Sequence, residues 1–427
     1  MRRQALEIFN AALEAADPYR ATLAHLKPLP ASVKNLYVVG AGKAAAAMAR
    51  AVEKAYGKQI RAGVIVTKYG HAQKLKRVKC FEAAHPVPDE AGIFAAREII
   101  ELCRAAGPDD LVICLISGGA SALLPAPVAG ISLEEKQITT QLLLSCGATI
   151  HELNCVRKHL SSIKGGQLAH EVYPARLETL ILSDVIGDPL DVIGSGPTVP
   201  DTTTFSDAWD ILYKHDLTDK IPATVRHHLE QGVNLSIPET PKPGDRIFAR
   251  VKNVMVGSNR LSVEAARRRA KELGYRPLLL STTLDGEASE AAKMFAAIAR
   301  EVRQSGHPAR APLAVLAGGE TTVHLGGAHG LGGRNQEMAL AAAIGIAGLR
   351  DVVFLAAGTD GTDGPTDAAG AYATGDTVAR AEAFDFDAHD FLVRNDSYHY
   401  FQPLKDLLVT GPTGTNVMDL YLMLIGG

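Results

Sequence analysis

Glycine-rich loops carrying lysine, arginine, hydroxyl or carboxylate side chains recur along this sequence, most of them placed directly after a short apolar run. Gly40-Ala41-Gly42-Lys43 puts a cation beside backbone N–H groups that can bind an anion at a helix start. Ser117-Gly118-Gly119-Ala120-Ser121 offers two hydroxyls and flexible backbone, suited to a carboxylate or phosphate. Asp184 follows another apolar run, with Asp188 and the stiff segment Gly194–Thr198 behind it; a carboxylate there can hold a cation or accept a hydroxyl proton. Asn154, Arg157, Lys158, His159 and Lys164 crowd one helix and its exit, either as a solvated basic face or as a counter-charge to an anion.

The second half repeats the pattern. Gly318, Gly319 and Glu320 end one apolar run, and Gly332-Gly333-Arg334-Asn335 opens a helix with an arginine whose planar donors suit a polyanion. Gly358–Gly364 contributes Asp360 and Asp363; its acid spacing is not that of an EF-hand, so a Mg²⁺ site or a ribose-contacting turn stays open. Thr410–Asn416 is a last glycine–hydroxyl loop.

The elements that must position these loops alternate strand, loop and helix. Strands are expected at 36–39, 62–67, 111–116 and 180–183, the third buried on both faces because it lacks polar alternation. Helices are expected at 44–56 and 90–105, at 132–145 behind a Ser132/Glu135 capping box, and at 151–162. Further strands are expected at 254–256, 277–280, 313–316 and 352–356, with a strand region in 414–425. The succession predicts an α/β fold: a Rossmann-like, mainly parallel sheet domain over 1–236, a second α/β domain over 237–427, and a ligand cleft between them. The boundary is read from Pro238, Pro241 and Pro243.

Gly40–Ala45 fits the G-x-G-x-x-A dinucleotide pattern, yet the following strand ends Thr67-Lys68-Tyr69-Gly70 without the ribose-binding carboxylate, and Glu53 falls inside the predicted helix. It is not a Walker A loop either, since one residue separates the glycines and Ala44 replaces the hydroxyl. Apolar residues make up 47% of the 427-residue chain, enough for a large core, and a net charge of −3 gives no basic field for nucleic acid or an anionic membrane. The longest uncharged apolar-and-glycine stretch, 338–349, is shorter than the roughly 18–20 residues of a membrane span. Residues 5–13 have the pattern of an amphipathic helix in place of a signal peptide, and five cysteines without C-x-x-C spacing suit a reducing, cytoplasmic setting.

Taken together, VVGAGKAAAAMA (38–49), CLISGGASALL (114–124), NCVRKHLSSIKGGQLA (154–169), LSDVIGDPLDVIGSGPT (182–198), AGGETTV (317–323), GGRNQEMAL (332–340), GTDGTDGPTDAAGA (358–371) and TGPTGTNVMDL (410–420) make the chain resemble the class II glycerate 2-kinases. Members of that family have a carboxyl-terminal MOFRL domain and are often labelled hydroxypyruvate reductases. The resemblance covers nearly the whole chain and implies ATP-dependent phosphorylation of D-glycerate on its 2-hydroxyl, with Mg²⁺, giving 2-phospho-D-glycerate and ADP. It places the family's active-site lysine on Lys43 and its arginine on Arg334. Asp184 is expected to act as base or metal partner. Gly40, Gly42, Ser117, Gly118, Gly119, Ser121, Arg157, Gly318, Gly319, Glu320, Asn335 and Asp360 are expected to contact substrate or nucleotide, and Asp184, Asp188, Asp360 and Asp363 are the metal candidates. The competing readings are an NAD(P)H-dependent hydroxypyruvate reductase and a non-catalytic sensor; the oligomeric state is not legible.

Overall fold

The computed structural model of the chain describes residues 1–327 and 329–427, which divide into two compact units. The first unit, Pro18–Val256, is built on strands β1 (Leu36–Ala41), β2 (Ile60–Lys68), β3 (Val78–Ala83), β4 (Leu111–Ile116), β5 (Arg176–Leu182) and β6 (Val251–Gly257). Their order across the sheet is β3-β2-β1-β4-β5-β6, and the pairs β3–β2, β2–β1, β1–β4 and β4–β5 are parallel. Every residue of β1 and β4 is buried, as their unbroken apolar runs require. The helices Ala45–Tyr56 and Glu90–Arg104 bury alanine- and isoleucine-rich faces.

A separate helical core surrounds Leu143, Leu153, Val156, Phe205, Leu212 and Leu229. Three of its helices, Leu133–Ser145, Ile150–His159 and Phe205–Lys214, begin with reciprocal capping boxes at Ser132/Glu135, Thr149/Glu152 and Thr204/Asp207.

The second unit joins Met1–Asp17 to Gly257–Gly427. Its sheet contains β7 (Arg276–Leu284), β8 (Leu313–Gly319), β9 (Val352–Gly358), β10 (Gly370–Thr374), β11 (Leu407–Leu408) and β12 (Asp419–Ile425), in the order β11-β10-β9-β12-β8-β7. β7 and β8 pair in parallel, whereas β12 runs antiparallel between β8 and β9 and β10 antiparallel to both β9 and β11. Along β12, Leu420, Leu422 and Leu424 enter one core with Ile8 and Phe9, while Tyr421, Met423 and Ile425 enter the other with Phe295 and Met338. The two-residue period of a strand thus fills both faces of the sheet. The expected amphipathic helix at the start of the chain is present as Arg2–Ala15, with Ala5, Ile8, Phe9 and Ala12 fully buried.

Two sequence readings change. The strand expected at 254–256 as the start of a second domain is β6, the edge of the first sheet. Contacts place the division at Val256/Gly257, against the expected 236/237, because the proline-rich segment is tied down: Asp201 N–H donates to Pro241 O (2.9 Å) and Thr240 Oγ1 to Asp201 Oδ2 (3.0 Å). Among the described residues no helix is long and apolar enough to cross a membrane.

Candidate active site

In the first sheet, the direction of winding reverses between β1 and β4, and at such a point the loops leaving the carboxyl ends of the strands diverge to form a ligand crevice. Here these are the Gly42-Lys43 and Ser117–Ser121 loops, and they are stitched together. Lys43 N–H donates to Gly118 O (2.9 Å) and Ala44 N–H to Ser117 Oγ (3.0 Å). Gly42 N–H goes to Val66 O (3.1 Å) and Ala45 N–H to Gly42 O (3.1 Å). This corrects the phosphate-cradle reading of Gly40–Ala45, because the amides from 42 to 45 are spent within the protein. The two glycines serve packing: a Cβ on Gly40 would lie 2.5 Å from Leu115 O, and one on Gly42 2.1 Å from Ser117 Oγ. What the loop delivers to the crevice is the Lys43 side chain. The amides of Gly118 and Gly119 have no protein partner among the described residues, so the second loop retains the anion-binding donors.

Asp184, just beyond β5, closes on the same loop; an added Cβ on Gly118 would lie 2.1 Å from Asp184 Oδ2, so only glycine lets the carboxylate approach. Burial raises the Asp184 pKa above the usual carboxylate value, and the Lys43 charge opposes the shift. Gly119 takes φ +84°, and a Cβ there would lie 2.9 Å from His85 Cδ2 and 3.6 Å from Lys43 Cε. His85 therefore belongs to this site, although the sequence reading passed over it; burial and then Lys43 lower its pKa.

The basic crowd of the sequence separates in space. Lys158 is buried against Asp201 (3.3 Å), and His159 lies 3.2 Å from Glu239, so both act in the fold. Lys164 Nζ donates to Ser121 O (2.8 Å) and Oγ (2.9 Å), Ser121 Oγ lies 3.0 Å from Ser195 Oγ, and Ser195 Oγ donates to Asn154 Oδ1 (3.0 Å). Ser121, Arg157 and Lys164 line a cavity of about 650 Å³ together with Gly119 and His85.

In the second unit, the sheet register sets Asp419, the first residue of β12, opposite both Gly319 of β8 and Gly358 of β9. Arg334 grips that carboxylate in a two-point pair, Nε to Oδ2 at 2.6 Å and an η nitrogen to Oδ1 at 3.0 Å, and its other η nitrogen lies 2.9 Å from Glu320. Burial opposes the guanidinium charge, but Asp419 and Glu320 outweigh it and raise the pKa further. Asn335 Nδ2 and Tyr421 OH also donate to Asp419, each at 3.1 Å. Glu320, Arg334 and Asn335 are thus brought together around a residue the sequence reading did not single out. A lone carboxylate in Val417-Met418-Asp419-Leu420-Tyr421 was the available signal, since a buried charge in an apolar run needs a partner.

Gly318 and Gly319 have packing roles: a Cβ on either would come within 2.0 Å of Asn259 Oδ1 or Leu284 O. Asp363 caps the helix Arg334–Gly345, accepting from Asn335 N–H (3.1 Å) and Gln336 N–H (2.8 Å) and from both side-chain amides; burial pushes its pKa up to about 6 against these donors. Asp360 is half-buried and accepts from Thr362 N–H (3.0 Å). No group of three or more His, Cys, Asp or Glu able to hold a metal occurs among the described residues. Asp188 Oδ1 is buried without a hydrogen-bond partner among the described residues.

Residues 4–230 match a family model described as a domain of unknown function (DUF4147), and residues 313–419 match the MOFRL family. A glycerate 2-kinase from Pyrococcus horikoshii is 42% identical over 435 residues, covering 100% of this chain and 97% of that protein. The crystal structure of a glycerate kinase from Thermotoga maritima matches with a TM-score of 0.93 at 43% identity, covering 99% of both chains. The chain belongs to the class II glycerate kinase family. A relative from Agrobacterium vitis, provisionally named a hydroxypyruvate reductase, is 45% identical over 426 residues, covering 99% of this chain and 94% of that protein. Within this class II chain, the Glu53 carboxylate, nearest in spacing to a ribose-binding acid, accepts from the N–H groups of Lys76 (2.9 Å), Arg77 (2.6 Å) and Val78 (3.0 Å). It organises the approach to β3 and is not free to hold a ribose.

Proposed function

We propose that this protein is a glycerate 2-kinase, transferring the γ-phosphoryl group of ATP to the 2-hydroxyl of D-glycerate. The observation that carries the reading is the convergence of Lys43, the Gly118-Gly119 amides and Asp184 at the switch point of the first sheet, in a chain 42% identical along its whole length to a glycerate 2-kinase. The functional domains proposed from sequence, a Rossmann-like glycerate kinase domain over 1–236 and a MOFRL domain over 237–427, are supported by the family matches within 4–230 and 313–419, although by contacts residues 1–17 pack with the second unit and 237–256 with the first. Five free cysteines fit a cytoplasmic setting.

Phosphoryl transfer needs alignment and positive charge more than a protein nucleophile. Lys43 neutralises charge on the moving phosphoryl group, and the Gly118 and Gly119 amides hold an anionic oxygen beside it. Asp184 accepts the 2-hydroxyl proton as the oxygen–phosphorus bond forms and the bond to the β-phosphate breaks, with ADP as leaving group. Its raised pKa makes it a stronger base than an exposed carboxylate. Arg334, aimed by Asp419 and Glu320, supplies a second cation. Mg²⁺ would lower the charge on the phosphates; kinases bind it through one or two carboxylates plus substrate, and Asp188, whose Oδ1 is buried without a hydrogen-bond partner among the described residues, fits that need. Proton and phosphorus NMR of the product tests the reading: phosphate on C2 is expected, and 3-phosphoglycerate would refute it.

A further inference from the structure

The cavity beside Lys43 contains a buried cation with nothing to bind. Lys136, on the helix Leu133–Ser145, is only 7% exposed, yet its Nζ has no hydrogen-bond partner among the described residues. It lines the 650 Å³ cavity with Arg157 and Lys164, and none of the described residues lining that cavity carries a carboxylate. A buried ammonium without a partner costs stability, and two further cations in the same wall add repulsion. Burial, with repulsion from Arg157, lowers the Lys136 pKa to about 7, and burial together with Lys136 and Arg157 pushes Lys164 well down. Such a cluster is relieved by an anion. Gly119, which lies against the Lys43 side chain, and His85 belong to the same wall, so an anion held here lies near the proposed chemistry.

We propose that Lys136, Arg157 and Lys164 form an anion-binding subsite for a substrate of the kinase reaction, taking either the glycerate carboxylate or a nucleotide phosphate. The two sources share one chemistry: oxygens bearing negative charge, met by convergent N–H donors. Leu133, Ile138, Leu144 and Pro125 form an apolar wall beside the basic one, and the cavity can take a ligand larger than three carbons. The inference rests on the glycerate kinase reading for the identity of the ligand, but not for the existence of the subsite.

The decisive variant is Lys136→Met, which keeps the length of the side chain and removes its charge. Because Lys136 bonds to nothing in the protein, the variant should keep or raise Tm while losing ligand affinity; a lysine with a structural role would lower Tm. Calorimetric titration with D-glycerate alone and with a non-hydrolysable ATP analogue alone separates the two sources. We expect about 10- to 100-fold weaker binding of one or both, the loss of a charged hydrogen bond, with Tm retained. Weakening for D-glycerate assigns the carboxylate, and weakening for the analogue assigns the phosphate. Arg157→Gln should weaken the same ligand. Pyrophosphate at constant ionic strength should raise the wild-type Tm more than that of Lys136→Met, a readout that survives even if D-glycerate is not the substrate. Unchanged affinity for both ligands, or a lower Tm with both affinities lost, would overturn the subsite.

Discussion

Lys43 and Asp184 occupy one crevice, and substitution separates the different duties the proposed function gives them. Lys43→Ala should leave the fold intact and lower kcat by about 10²–10³, the loss expected when one donor to a transition-state charge is removed; thermal melting alongside steady-state rates checks both halves. Because burial raises the Asp184 pKa, the carboxylate ionises at higher pH than an exposed aspartate. The acid limb of the kcat/KM profile should therefore fall above the ordinary value of about 3.9, and Asp184→Asn should abolish that limb with a loss of about 10²–10⁴ in rate. Partial rescue of Asp184→Asn by raised Mg²⁺ would reassign it as a metal ligand. Asp419 acts at one remove: it is fully buried and holds the Arg334 guanidinium. Asp419→Ala should cost about 2–3 kcal/mol in stability, measured by urea unfolding, and release the arginine from its aim.

At the scale of elements, the site depends on loop geometry at strand ends. A Cβ on Gly118 meets the Asp184 carboxylate at 2.1 Å, so Gly118→Ala should displace that side chain and reduce kcat with little change in Tm, as paired kinetics and melting would reveal. Much of this level was legible in sequence. The apolar runs announced strands β1 and β4, the latter as buried on both faces, the Ser132/Glu135 box announced its helix, and glycine-rich loops marked the strand end before Lys43 and the helix start at Arg334. Three features were not. The role of the Gly40–Ala45 amides depends on which loop packs against them, and Ser117 lies 75 or so positions away from that loop. The placement of β12 between β8 and β9 is a pairing choice, because a strand buried on both faces has no alternation to declare its direction or neighbours. Lys136 reads as a polar position on an ordinary helix; its burial arises from the elements packed over it.

At the scale of the whole molecule, the first unit is one continuous segment, whereas the second needs the first seventeen residues of the chain. Ile8 and Phe9 are fully buried in the core shared with Leu420 and Leu422, so Phe9→Ala should destabilise the protein by about 3–5 kcal/mol, seen as a lower Tm. The chain joins a Rossmann-type sheet, whose strand order also occurs in dinucleotide-binding proteins, to a unit with a mixed sheet whose Asp419 grips Arg334, so the kinase account rests on site chemistry and not on strand order. One measurement tests that account most directly: the purified protein is given ATP, Mg²⁺ and D-glycerate while ADP release is followed, and in parallel NADH or NADPH and hydroxypyruvate while cofactor oxidation is followed. The account predicts ADP release that requires D-glycerate and disappears in Lys43→Ala, with no oxidation of NADH or NADPH. Hydroxypyruvate-dependent oxidation without glycerate-dependent ADP release would contradict it.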